Sequence, residues 1–344
     1  MKVVFVASLK SVSASGHQRL WAMRMCGLDV YLLNKDTYGT TLGRFAGRFA
    51  KLFKKPSWAS DTKKLQHDVL QVCIQNQPDI VWLEWPKEFQ PNILKKIKEQ
   101  CPKAILVSMQ DDNPWGDRIN DKWMWKDYFK TVPVFDVHIV KRDSDCTHLK
   151  ALGAKKTITW EHGMYSPLFY PKETTEEKKY PVSFVGTCMD QRITLLTYLL
   201  EKGIPIHIFG NGWDARSDLP KRFPLHFHSA VEGDAYAEVI RHSQICLGLV
   251  SHSNQDEWTM RSYEVPACAA LLLAERTPTH ERLFTQDINA VFFSTKEECA
   301  SKLLTLLPQA QLCSDMGKTA HEIFIRHKYT IEARMESLME QLKN

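Results

Sequence analysis

Short apolar runs alternate with helix-length amphipathic segments along this chain, and the alternation runs twice. The first series of strand candidates is Val3–Ala7, Val30–Leu33, Ile80–Leu83, Ala104–Ser108, Val134–Val140 and Thr157–Trp160. Helix candidates between them are His17–Cys26, Thr62–Asn76, Glu88–Gln100 and Ser144–Leu152. Strands that are apolar on both faces and separated by helices belong to a parallel sheet covered on both sides. The pattern breaks at Pro167–Pro171 and the charged stretch Lys172–Lys179, which lacks apolar periodicity and reads as a linker. A second series follows, with strands at Val182–Val185, Ile206–Phe209, Ile245–Leu249, Leu271–Ala274 and Val291–Phe293. Its helices are Ile193–Lys202, Ala235–His242, Ser262–Ala270, Lys296–Leu306, Asp315–Arg326 and a closing Ile331–Leu342. The expectation is an α/β chain of two Rossmann-like, doubly wound domains: 1–170, a linker at 171–180, 181–325, and a C-terminal helix, 326–344, that crosses back to the first domain. Ligands of such sheets sit at strand carboxyl ends, so two facing domains would enclose a cleft.

Composition supports two cores and excludes several classes. With 44% hydrophobic and 25% charged residues in 344, the chain is neither disordered nor low-complexity. The apolar run after Met1-Lys2 is too short for a secretory signal, and no stretch suits a transmembrane helix. Nine dispersed cysteines without a Cys-x-x-Cys fit reduced thiols in the cytoplasm. Thirteen histidines show no metal-ligand spacing, and His226 and His228 flanking Phe227 read more simply as a half-exposed strand. No metal and no cofactor are expected. The net charge of +5 conceals an asymmetry: residues 1–170 carry 26 basic and 17 acidic side chains (+9), and 171–344 carry 19 and 23 (−4).

Three stretches of the second half carry candidate chemistry. In Phe184–Arg192 a strand meets a turn at Gly186-Thr187 and then a helix, whose free N–H groups and Arg192 suit a phosphate. Gly210-Asn211-Gly212-Trp213 follows the next strand; Trp213 could cover a base or pack on its own domain. Asp256–Ala269 places Arg261, Ser262, Tyr263 and Glu264 at a helix start, with Pro266 shortening the helix. A carboxylate there suits a ribose diol, and Arg261 a phosphate; a capping Ser262 with surface charges is the plain alternative.

Taken in order, these stretches resemble the C-terminal domain of GT-B fold glycosyltransferases, and most nearly the group-1 branch related to spore-maturation CgeB proteins. Arg261-Ser262-Tyr263-Glu264-x-Pro-Ala-Cys and the tail Leu271–Phe293 continue the match. Gln110–Trp115, Phe135–Val140 and His162-Gly163 to Tyr170-Pro171 agree more loosely. The resemblance implies a domain that binds a nucleotide-activated sugar, with Glu264 on the ribose. Asp256 takes the place of the first acid of the family's Glu-x7-Glu pair, with Glu257 beside it. Of the cations that neutralise the diphosphate only Arg192 is clear, and Arg261 is a second. The resemblance gives the first acid to the transferred sugar, where Asp256 departs from Glu, and the single clear cation departs from the family at the leaving group.

The reaction so implied leaves a nucleoside diphosphate, and its charge needs a cation or helix dipole. Arg192 and Arg261 can supply this without a metal. Asp111 and Asp112 end an N-domain strand, where one could position or deprotonate an acceptor hydroxyl; a loop-stabilising role is equally open. His17, Glu84 and His162 are weaker candidates for the cleft. The acceptor is a glycan, a lipid-linked species or a protein. A sugar-nucleotide epimerase and a non-catalytic nucleotide-sugar-binding protein are the competing functions.

The excess charge of the first half concentrates at Thr41–Lys55. Leu42, Phe45, Phe49, Leu52 and Phe53 recur at helical spacing, with Arg44, Arg48, Lys51, Lys54 and Lys55 among them. Such a segment suits an anionic membrane surface, or a helix packing its Phe face on the domain. No motif supports nucleic acid as a partner.

Overall fold

The computed structural model describes residues 1–11, 14–39, 60–117, 119–172 and 178–343. The chain divides into two compact units, one of residues 1–161 with 332–344 and one of residues 162–331. The basic segment Thr41–Lys55 lies outside the described residues.

In unit 1 the chain runs β1 (Lys2–Ala7), α1 (Ser15–Met25), β2 (Asp29–Asn34), α2 (Thr62–Asn76), β3 (Ile80–Glu84) and α3 (Pro91–Gln100). It continues through β4 (Ile105–Gln110), α4 (Lys126–Thr131), β5 (Val137–Val140), α5 (Asp143–Ala151) and β6 (Thr157–Thr159). The six strands are parallel in the order β2-β1-β3-β4-β5-β6. Local signals set the helix ends. Asp61 accepts a hydrogen bond from the Lys64 N–H at 3.0 Å and opens α2. Pro91 sits in the first turn of α3, where its missing N–H costs nothing. Leu65, Val69 and Cys73 of α2 share one face and are buried against Val4, Val6, Val81 and Leu83. Fully burying one such side chain contributes roughly 1.5–3 kcal/mol. The strand expected from Val134 begins at Val137, because Pro133 holds a tight helical turn before it.

Unit 2 runs β7 (Tyr180–Val185), α6 (Asp190–Glu201), β8 (Ile206–Phe209), α7 (Trp213–Arg216), α8 (Leu219–Arg222), β9 (Phe227–His228) and α9 (Gly233–Arg241). Then come β10 (Ser243–Gly248), α10 (Arg261–Ala267), β11 (Leu271–Glu275), α11 (Pro278–Leu283), β12 (Val291–Phe293), α12 (Lys296–Leu306) and α13 (Ala310–Arg326). This sheet is also parallel, in the order β12-β11-β10-β7-β8-β9. Its core joins Val182, Phe184, Ile208, Leu247 and Leu273 to Leu196 and Leu199 of α6 and Leu303 of α12.

The closing helix α14 (Ile331–Lys343) belongs almost wholly to unit 1. The Trp160 indole donates to the Arg334 carbonyl at 3.3 Å, and Lys156 to the Gln341 carbonyl at 2.7 Å. The unit boundary falls at 161/162, earlier than the linker expected from composition. Residues 162–171 are tied to unit 2: the Arg241 guanidinium donates to the carbonyls of Leu168 and Tyr170 at 2.5 and 2.9 Å, and Phe169 packs edge-on against Tyr236. Among the described residues no helix is long and apolar enough to cross a membrane.

Candidate functional site

Both sheets reverse their winding beside their first strand. In unit 1, β1 and β2 run to one edge and β3 starts on the other side of β1. In unit 2, β7, β8 and β9 run to one edge and β10 starts on the other side of β7. Loops diverge at the carboxyl end of such a point and leave room for a ligand. Each unit places a buried arginine there, on the helix that follows its first strand.

In unit 2 that residue is Arg192, in the first turn of α6 and 6% exposed. Its Nη1 donates to the Thr187 carbonyl at 2.9 Å, its Nη2 reaches the Leu249 carbonyl at 3.5 Å, and its Nε has no partner. The guanidinium also lies over the Phe184 ring at 5.4 Å. No carboxylate stands within ion-pair distance of it among the described residues. Burial, and then the neighbouring Arg261 cation, push its pKa down to about 10; Glu275 and Asp256 offset this only in part. Arg261 opens α10 and donates from Nε to the Val185 carbonyl at 2.6 Å. Two guanidinium groups are thus fixed by backbone carbonyls at the end of β7, and neither forms a close ion pair with a carboxylate among the described residues. A cavity of about 330 Å³ adjoins Arg192, lined also by Leu195, Leu249, Glu275 and Phe293, within the size range of small-ligand pockets.

The glycines here serve close approach. A Cβ on Gly210 would stand 2.1 Å from the Gly186 carbonyl oxygen, so only glycine lets the β8–α7 turn lie against the β7–α6 turn. The two turns are stitched by Gly186 N–H to Phe209 O at 2.8 Å and Cys188 N–H to Asn211 O at 3.0 Å. Gly212 adopts φ 82 as the residue before α7. Thr187 and Asn211 are exposed beside these turns.

Glu264 lies one turn into α10 and is 3% exposed. Its Oε2 accepts a short hydrogen bond from the Tyr236 hydroxyl of α9, and its Oε1 takes none among the described residues. Burial raises the Glu264 pKa, against the opposing pull of Arg261 and of the Tyr236 hydrogen bond.

Other candidates from the same stretches fall elsewhere. Trp213 is 3% exposed, donates its indole N–H to the Gly186 carbonyl at 3.1 Å, and packs on Phe227 and Phe184. It braces the turn from inside, and a base-covering position is corrected to a core one. Tyr263 is fully buried between Trp258 and Phe324. The Ser262 hydroxyl meets the buried His280 ring at 2.8 Å. Both face the core, Tyr263 toward Phe324 of α13 and Ser262 toward His280 of α11. Asp256 is half-buried and receives the Asn254 amide at 3.0 Å, whereas the Glu257 carboxylate is taken by the Thr279 hydroxyl at 2.7 Å.

In unit 1 the buried arginine is Arg19 of α1, 1% exposed. Its Nε and Nη2 grip Glu84 at 2.6 and 2.5 Å, and Nη2 also meets the Ser15 hydroxyl at 3.0 Å and Asp111 at 3.4 Å. Burial lowers the Arg19 pKa, but the two carboxylates outweigh it and the net shift is upward. Glu84 is therefore a buried structural partner, not an exposed group. Asp111 stays 21% exposed and accepts a short hydrogen bond from the Trp85 indole. Asp112 is half-buried, with its carbonyl accepting from the Gln110 amide at 3.2 Å. Trp85 has φ 46, an unusual value for a bulky side chain, which costs on the order of 1–3 kcal/mol. His17 is half-buried on α1. His162, expected in the first domain, belongs to unit 2 and is 1% exposed.

Arg19, Trp85 and Tyr236 are the residues that motif spacing misses. Arg19 meets Glu84 from 65 positions away and Tyr236 meets Glu264 from 28, so neither pair leaves a local pattern. Among the described residues no group of three or more His, Cys, Asp or Glu side chains converges as a metal site.

Residues 192–340, under half of the chain, match the family model described as glycosyl transferase-like. No curated protein matches the sequence. Among solved structures, sucrose-phosphate synthase from Thermosynechococcus elongatus is similar over 100% of this chain and 98% of its own, with TM-score 0.66 and 12% identity. Anabaena HepE in complex with UDP and glucose is similar over 100% and 99%, with TM-score 0.65 and 11% identity. A glycosyltransferase from Rickettsia africae covers 99% and 97%, with TM-score 0.63 and 12% identity. The two parallel six-stranded units are those of the GT-B fold.

Proposed function

We propose that the protein transfers a glycosyl group from a nucleoside-diphosphate sugar to an acceptor. The observation that carries this reading is the Arg192–Arg261 pair, two cations fixed at the switch point of unit 2 with no close ion pair to a carboxylate among the described residues. Holding a buried charge that is only partly offset is costly. A diphosphate would repay that cost, and most fully when the glycosyl bond breaks and charge grows on the leaving group. The N–H groups opening α6 add to the same field. The family match over 192–340 and the nucleotide complex of a similarly folded protein support this reading. So does the motif order that places the chain near the CgeB-like branch.

Glu264 is assigned to the ribose, because its free Oε1 can accept from a diol while Tyr236 holds Oε2. Asp256 is assigned to the transferred sugar. Asp111 or Asp112 receives the proton of the acceptor hydroxyl. Because the arginines carry the leaving-group charge, the reaction is proposed to run without a metal, and activity should survive EDTA. The free thiols of all nine cysteines support a reducing, cytoplasmic setting. The basic segment 41–55 is proposed to touch an anionic membrane surface.

A thermal-shift screen with the diphosphates of uridine, guanosine, adenosine, cytidine and thymidine tests the donor site. At least one should raise the midpoint by mass action. No shift with any of them in the wild type would overturn the reading. Binding without hydrolysis or transfer would favour a non-catalytic nucleotide-binding protein.

A further inference from the structure

We propose that His207 and His228 form a proton-operated clasp at the edge of the unit 2 sheet: the pair holds strand β9 in place while at most one of its rings is charged, and releases the strand when both are. The clasp rests on the geometry of unit 2 and not on the glycosyl-transfer reading above.

The first support is the place of the pair. β9 is the outermost strand of its sheet and only two residues long, so its own ladder holds it weakly. Its neighbour is β8, with Ile208 opposite Phe227 and Phe209 opposite His228. Side chains add to the hold. Just before β9, the His226 Nδ1 meets the Ile206 carbonyl at 2.8 Å. A carbonyl only accepts, so this Nδ1 carries a hydrogen whether or not the ring is charged, and the bond survives acid. Across the strand pair, the His207 Nδ1 and the His228 Nε2 stand 2.9 Å apart. The two rings lie 18° from parallel with centroids 5.1 Å apart, and Phe209 backs His228 at 4.5 Å. From β9 the chain enters α9, whose Tyr236 holds Glu264.

The second support is a count of protons. In a bond between two imidazole nitrogens one carries the hydrogen and the other a lone pair. Two neutral rings satisfy this with one tautomer each, and a singly charged pair satisfies it with a charge-assisted bond. Two imidazolium rings do not: N–H then faces N–H, and neither ring keeps a lone pair. The surroundings do not absorb the second charge. The Tyr180 ring lies 5.0 Å from His207 and carries the Lys179 ammonium over its face at 5.3 Å. Among the described residues the other charged groups that act on the two rings are Lys179 and His226, both bases, and no carboxylate joins them. Burial, and then these neighbours, lower the pKa of both rings. The unfolded chain takes up protons at the ordinary histidine value before the folded pair does. The pair's contribution to stability is therefore present above that value and lost as pH falls below it.

The test is hydrogen exchange on the full chain, read as protection relative to the intrinsic rate at each pH, between about pH 7.5 and about pH 4.5, on either side of the ordinary histidine value. Wild-type peptides covering Phe227–His228 should lose protection about tenfold at acid pH, the scale of one hydrogen bond, while those covering β10 keep theirs. His207→Asn places an amide near the position of Nδ1, and His228→Gln one near that of Nε2. Either variant keeps a cross-strand hydrogen bond that cannot be doubly charged, and should abolish the acid loss. An NMR titration of the wild type needs no variant: the two rings should take up their protons in two separated steps. The proposal is overturned if wild-type β9 keeps its protection at acid pH, if β10 loses as much as β9, if either variant loses as much as the wild type, or if both rings titrate together at the ordinary value.

Discussion

Arg19 and Arg192 occupy equivalent places in the two units, yet their surroundings are opposite. Each is buried on the first helix after its unit's first strand, at the point where the sheet reverses. Arg19 meets two carboxylates and a hydroxyl, and its charge is met inside the protein. Arg192 meets two carbonyls beside a second arginine, and its charge is only partly offset, by Glu275 and Asp256. The same residue in the same topological place is paired with carboxylates in one unit and, in the other, is the cation assigned to the diphosphate in the proposed function. Burial alone does not separate the two; the partners do.

Substitution should break this symmetry most visibly at Arg19. Arg19→Met leaves Glu84 and Asp111 facing each other without their cation, and should cost about 3–5 kcal/mol in urea unfolding. The same change at Arg192 removes a buried charge that is only partly offset, so stability should hold or improve slightly. Nucleoside-diphosphate affinity should instead fall about 10- to 100-fold by calorimetry, the loss of a charge-assisted contact. If Arg192→Met proved as destabilising as Arg19→Met, the contrast would be wrong.

Gly210→Ala should come next. Its Cβ would collide with the Gly186 carbonyl, so a loss of about 1–3 kcal/mol is expected, together with weaker nucleotide binding as the two turns separate. Unchanged affinity would show that the stitched turns serve the fold only.

Acid pH should act on unit 2 through Glu264. Burial raises its folded pKa, so as pH falls through that value it protonates before an ordinary glutamate would. Nucleotide affinity should fall over the same range, because a protonated carboxyl is a poorer ribose acceptor. Tyr236→Phe removes a hydrogen bond that favours the charged form, and should move the fall to higher pH. The sign for folding is the reverse. A raised carboxylate pKa disfavours the charged buried form, so this group's contribution to stability is lost as pH rises through the window, not as it falls. A pH profile of affinity identical in wild type and Tyr236→Phe would remove Tyr236 from the site.

The smallest effect is expected from the basic segment. Replacing Arg44, Arg48, Lys51, Lys54 and Lys55 with glutamine should leave nucleotide binding intact and reduce flotation with anionic liposomes. Equal recovery with neutral and anionic lipid would end the membrane proposal.

The sequence by itself determined the two parallel sheets and most of their strands, because apolar periodicity and glycine or proline punctuation are local. It also marked Gly186, Arg192, Gly210, Arg261 and Glu264, which lie within short strand–turn–helix units whose direction the fold class already implies. It did not separate Trp213, Ser262 and Tyr263 from them. Neighbours in sequence point to opposite faces on a strand and differ by about 100° on a helix, and only packing decides which directions are core. The tertiary structure alone decided that Glu84 belongs to Arg19, that Tyr236 holds Glu264, that the Trp85 indole meets Asp111, and that residues 162–171 join the second unit. Each of these rests on groups brought together from distant positions. The balance of charge at each sheet's reversal, on which the functional reading depends, is a sum over such pairs and has no counterpart in any single stretch of the chain.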